Sequence, residues 1–281
     1  MFVYGQEAEE IYYRTDRNYY VVKYWNEFDS EYVMGTYIPG NQVEPLPAVK
    51  VMMMSDSSFH FNYTVKSGSK SLRALYEVKI FIQSDLNSIT KPNSDWDLNY
   101  RKDDYISWAK VGGKFRGILP EQSEKGFSFS SEDLPGLVES TFSSKIMILF
   151  PDNGPSSDIR IKLDNLVDST SHVPMETVGP VPEIKNLGID SLKDQLSFYL
   201  TRSCEELGWI TNQGICNSLE VKLQNTKRHL ENEKLKPAAN TLNAFLNEVE
   251  GQKDKALSSE AYALLYFNGQ YLLEKLKANE D

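Results

Sequence analysis

The chain has 281 residues and a mass of 32.1 kDa, enough for two domains that each bury a hydrophobic core. Hydrophobic residues at 40%, charged residues at 25% and a mean hydropathy of -0.46 exclude a disordered, collagen-like or multi-span membrane chain. Forty acidic against thirty basic residues give a net charge of -10, which repels phosphate backbones and leaves no expectation of a nucleic-acid partner; no apolar run approaches the roughly 18 residues of a transmembrane segment.

At the amino end, Val3 and Gly5 have the small-residue spacing that precedes a signal cleavage point, and the acids Glu7, Glu9 and Glu10 follow directly. Residues 1–17 therefore read as the remnant of a truncated signal peptide or as an arm, and the chain as secreted or held at a cell surface; the other reading is an ordinary cytosolic start. Apolar and aromatic side chains then alternate with polar ones, the period of two that builds strands. Strands are predicted at 19–25, 32–38, 49–54, 59–65, 76–82, 106–111 and 127–131, then at 137–142 and 146–150. Met52, Met53 and Met54 read as strand core with one outward neighbour, not as a metal or cofactor box. Punctuation comes from Pro39 with Gly40, Pro92 with Asn93, Gly112 with Gly113, and Pro135 with Gly136. Many short strands without long helices between them require antiparallel pairing, because parallel pairing needs crossover helices. Residues 1–150 are thus expected as an antiparallel β-sandwich of immunoglobulin- or fibronectin-like type.

Residues 151–188 hold Pro151, Gly154, Pro155, Pro174, Gly179, Pro180, Pro182 and Gly188, the composition of a linker. Within them, Ile159, Ile161, Leu163 and Leu166 offer one more strand or turn against the sandwich. From Asp190 the apolar period becomes 3.6: Leu192, Leu196 and Tyr199; Ile215, Leu219 and Leu223; Leu242, Phe245 and Leu246; Leu264, Leu265 and Leu272. Ser191 with Asp194, Asn212, Pro237, Gly251 and Ser258 mark the helix ends. Four helices with short connections make 189–277 a small antiparallel bundle, so the fold class is multidomain, all-β followed by all-α.

The run Asn212, Gln213, Gly214, Ile215, Cys216, Asn217, Ser218, Leu219 with Lys222 and Leu223, then Asn240 to Asn247 with Val249, then Lys255, Leu257, Ser258 and Ala261, resembles the FIMAH-like C-terminal helical modules of secreted bacterial proteins. That resemblance covers about 90 residues. It implies an extracellular bacterial setting and a non-catalytic accessory role in attachment or spacing, and supplies no active site. Residues 57–150 are similar to an aromatic-rich β-sandwich domain of secreted bacterial proteins, on Phe61, Tyr63, Tyr76, Phe81, Trp96, Trp108, Phe127, Phe129, Pro135 and Gly136.

The two cysteines, Cys204 and Cys216, flank the turn between the first two helices of the bundle, so an antiparallel hairpin brings them within disulfide reach; the other reading is a pair of buried thiols. Asn93, Asp95, Asp97 and Asn99 place oxygen ligands at every second residue, a calcium candidate, although the segment lacks the glycine of an EF-hand loop and has Ile106 at its twelfth position. A solvated loop edge explains the same residues. Trp25, Trp96 and Trp108, with Tyr12, Tyr13, Tyr19 and Tyr20, are candidates for stacking a sugar, the competing role being core packing. No nucleophile elbow, zinc pair, P-loop or dinucleotide fingerprint occurs.

These features predict a non-enzymatic binding or surface-interaction protein without a cofactor: the sandwich recognises an unknown surface or carbohydrate ligand, and the helical module attaches or spaces it. A carbohydrate-binding accessory module is one alternative. A hydrolase with a dispersed carboxylate pair is the other.

Overall fold

A computed structural model describes residues 8–111, 117–151, 153–155 and 158–279. In chain order the strands are β1 (Glu10–Arg14), β2 (Tyr19–Asn26), β3 (Glu31–Ile38), β4 (Pro45–Met53), β5 (Phe59–Ser67), β6 (Glu77–Phe81) and β7 (Asn87–Thr90). They continue with β8 (Trp96–Arg101), β9 (Tyr105–Lys110), β10 (Ser123–Ser131), β11 (Pro135–Ser143), β12 (Met147–Leu149) and β13 (Val173–Pro180). The helices are α1 (Asp158–Thr170), α2 (Ile189–Thr201), α3 (Gln213–Glu231), α4 (Leu235–Gln252) and α5 (Ser259–Ala278).

The strands form three antiparallel sheets, ordered β1-β2-β3-β12, β4-β5-β10-β7 and β13-β11-β6-β9-β8. The second and third face each other as the expected sandwich. Phe61, Tyr63, Phe127 and Phe129 from one sheet meet Val78, Ile80, Ile106 and Trp108 from the other, all buried. Their rings lock in specific geometries: Trp108 stacks on Phe129 at 6.4 Å, and Trp96 meets Phe127 edge-on at 4.8 Å. Each such pair adds about 0.5–1.5 kcal/mol beyond its burial.

The first sheet stands apart, with a core of its own. Val22, Tyr24 and Tyr37 pack against Ile159 and Leu163 of α1. Residues 10–14, expected within a signal remnant or arm, are thus a paired strand; the cleavage-like residues Val3 and Gly5 lie outside the described residues, as do Gly112 and Gly113. The stretch 151–188 differs from a linker in a physical way. Ile159, Leu163, Leu166 and Val167 recur at helical spacing and cover the first sheet as α1, not as a strand. Residues 173–180 then pair along the whole of β11. A buried backbone stretch must place its N–H and C=O groups, and an edge of the sandwich takes them.

The four helices after residue 188 form the expected module. Its ends are set locally: the Asn212 side chain accepts from the N–H groups of Gly214 (2.9 Å) and Ile215 (3.3 Å), and Ser258 caps α5 through Ala261. α2 instead starts at Gly188 with no side-chain cap, so Ser191 plays no capping part, and Gly251 lies inside α4. α5 is apolar on nearly every side because it is the central helix, packed between the other helices and the sandwich. Phe267 meets Phe59 edge-on at 5.2 Å, Glu260 Oε1 accepts the Val49 N–H at 2.7 Å, and Asn268 donates to the Pro135 carbonyl at 2.8 Å. Sandwich and helical module therefore share one continuous core.

Candidate functional site

The alternation of β2 sends Val22 and Tyr24 to the α1 core and leaves Lys23 and Trp25 on the opposite face. Across the ladder from them stand Met34 and Tyr32 of β3. Trp25 is 42% exposed and leans edge-on against Tyr32 at 5.1 Å, while the Lys23 ammonium sits 5.0 Å from the centre of the Tyr32 ring. Tyr32 thus orients both the indole and the cation.

The hairpin tip beside Trp25 is held by one side chain. The Asn26 carbonyl accepts from the N–H groups of Phe28 (2.9 Å) and Asp29 (3.3 Å), and its amide donates to the Asp29 carboxylate at 2.7 Å. Ser30 takes the left-handed backbone conformation that closes the turn, at φ 54°. This frame displays Phe28, which is 96% exposed, where turns ordinarily carry polar residues. A cleft of about 380 Å³ opens between the tip and the segment carrying Asn153 and Gly154. Gly154 has φ +77°, and a Cβ there would lie 2.8 Å from the Phe150 ring, so a larger residue would displace this wall. The result is a mixed surface in which two aromatics, Trp25 and Phe28, stand beside Glu27, Asp29 and Asn153, a combination that favours stacking plus hydrogen bonding.

Of the other tryptophan candidates, Trp96 and Trp108 are both fully buried. They pack the sandwich core, with the Trp108 indole donating to the Thr90 carbonyl at 2.8 Å, so neither stacks a ligand. Tyr20 packs against the α1 core, and Tyr13, itself exposed, leans on the Tyr20 ring at 4.8 Å. Phe28, Tyr32 and Lys23 were not singled out in the sequence; the signal was an aromatic inside the Asn26-to-Asp29 turn and the shared parity of Lys23 and Trp25.

Three of the four calcium candidates are engaged with neighbours. The Asn93 carbonyl accepts the Asp95 N–H at 3.0 Å, Asp95 lies 3.5 Å from the Lys110 ammonium, and the Asn99 amide donates to the Tyr105 hydroxyl at 2.9 Å. Asp97 lies exposed on β8, an edge strand. Among the described residues, no group of three or more His, Cys, Asp or Glu side chains converges as a metal shell.

Cys204 and Cys216 form a disulfide with Cα atoms 6.1 Å apart. It lines a second cleft, of about 260 Å³, between α2 and α3, together with Leu200, Leu223, Asp194, Glu205 and Glu220. Among the described residues, no helix is long and apolar enough to cross a membrane. No curated protein sequence matches the chain. Residues 199–274, from the end of α2 through most of α5 and including the disulfide, match the FIMAH domain.

Proposed function

We propose that this is a non-catalytic binding protein of the bacterial cell exterior, which recognises its ligand at the β2–β3 end of the first sheet and attaches or spaces that surface through its helical module. The observation that carries the reading is the exposed pair Trp25 and Phe28 beside a cleft, on a turn preorganised by Asn26. Large aromatics held in water by a rigid frame lose folding energy there and gain it on binding. The disulfide supports an oxidising compartment, and the FIMAH match supports an accessory module.

A carbohydrate ligand is the second reading, favoured by the indole face lying next to Glu27, Asp29 and Asn153. Both readings meet one experiment. Binding to bacterial cell-wall fractions and to a panel of soluble oligosaccharides is followed by tryptophan emission, in which Trp25 is the most exposed indole. Replacing Trp25 with Ala should cost about 2 kcal/mol of affinity, as for an aromatic anchor. Oligosaccharide binding would select the carbohydrate reading. Binding by Trp25→Ala and Phe28→Ala equal to the parent would remove the proposed surface.

A further inference from the structure

Three methionines in succession are read most simply as core, yet Met52, Met53 and Met54 are 39%, 62% and 46% exposed. The strand parity explains it. Val49 and Val51 of β4 face the sandwich core, so Met52 shares the outer face with Lys50. In the ladder Met52 stands directly opposite His60 of β5, whose neighbours Phe59 and Phe61 point inward. The hairpin continues past the strand end, where the Met54 N–H donates to the Ser58 carbonyl at 2.8 Å. Met54 therefore falls on the same face, diagonal to His60. Direct and diagonal cross-strand partners are within reach of long side chains.

His60 is itself held. Its Nδ1 lies 3.0 Å from Ser130 Oγ on β10, the strand on the other side of β5, and Ser130 is buried. No hydrogen bond to its Nε2 is formed among the described residues. A ring nitrogen anchored by a neighbouring group, with the other nitrogen left to bind an ion, is the arrangement of a metal-ligating imidazole. The adjoining turn adds a carboxylate: Asp56 accepts from the Ser58 N–H and hydroxyl at 3.0 and 2.6 Å.

We propose that Met52, Met54 and His60 form a surface site for a soft monovalent metal ion, Cu(I) or its analogue Ag(I). Two polarizable thioethers and one imidazole select soft ions over calcium or magnesium. The site is independent of the Trp25 platform, which lies on another sheet.

Ag(I) is the probe of choice, because it needs no reductant and leaves the Cys204–Cys216 bond intact, with no free thiol to compete. Titration of the full chain should show one tight equivalent, with the Met52 and Met54 methyl resonances and the His60 ring shifting together. The double variant Met52→Leu/Met54→Leu should weaken binding on the order of 100-fold, Ser130→Ala on the order of tenfold, and Met53→Leu should leave it unchanged. Unmoved Met52 and Met54 methyls at saturating Ag(I) would overturn the site, as would parental affinity in the double variant or an equal loss in Met53→Leu.

Discussion

Burial pushes the Tyr199 phenol up to about 12, with hydrogen bonds involving the Gln195 side chain and the Leu137 backbone offsetting part of the rise. Tyr63, whose hydroxyl donates to the Val178 carbonyl at 2.6 Å, is raised well above the ordinary value, first by burial and then by the charge of Glu260. Tyr262 is raised too, by burial and by its hydrogen bond to Glu250. In each case the folded chain keeps a proton that the unfolded chain releases above about pH 10, so stability is intact below that pH and falls as pH rises. For Tyr199 the loss approaches about 3 kcal/mol between pH 10 and 12. Guanidinium midpoints at stepped alkaline pH should decline over that window, and less steeply in Tyr199→Phe; a flat profile would contradict it. Which side chains face the core was legible from parity with charged neighbours. Lys23 marks Trp25 as outward and Lys50 marks Met52 as outward, while Asp97 and Asn99 mark Trp96 as inward. Residue type alone left Trp96 and Trp108 open between core packing and stacking, and it put at least two of the three exposed methionines in the core.

At the scale of elements, the same proline rule accounts for what was missed. Pro45 and Pro47 lie in β4, and Pro174 and Pro180 in β13, and both strands are sheet edges, where a missing N–H costs no ladder bond. The prolines at 174 and 180 suggested a linker, and only the pairing with β11, distant in sequence, turns that stretch into a strand. The helix α1 was hidden similarly, since its apolar spacing is clear but its flanks carry Pro and Gly. The helical module was legible because its signals are local. The α2–α3 hairpin is also closed by the disulfide, and its loop is joined to the start of α5 by the Ser258 N–H donating to the Trp209 carbonyl at 2.8 Å. Closing a loop between cysteines 12 apart stabilises by about 3 kcal/mol on the chain-entropy model. Guanidinium unfolding of Cys204→Ala/Cys216→Ala should show that loss, and a change below about 1 kcal/mol would contradict it.

Across the whole molecule, the sharing of one core by the sandwich and the helical module decides how the parts can move. α5 offers apolar side chains both to the other helices and to β4, β11 and β13, so separating the module would expose a sheet-facing stripe around Phe267. It would also strand the buried Glu260 carboxylate, which is 5% exposed, and Asn268, at a cost of about 1–3 kcal/mol for each polar group left without its partner. The module is therefore a buttress that sets its α2–α3 cleft at a defined orientation to the sandwich, not a tethered unit. The first sheet with α1 has its own core, as a separately opening unit requires. Phe267→Ala should cost about 3–5 kcal/mol, the range for a buried phenylalanine beside a partner that cannot collapse into the gap. If the shared core is cooperative, hydrogen exchange in the variant will lose the same protection in β5, β10 and α5, while β2 and β3 keep theirs. Loss confined to α3–α5, with β5 and β10 unchanged, would show instead that the helices and the sandwich unfold as separate units.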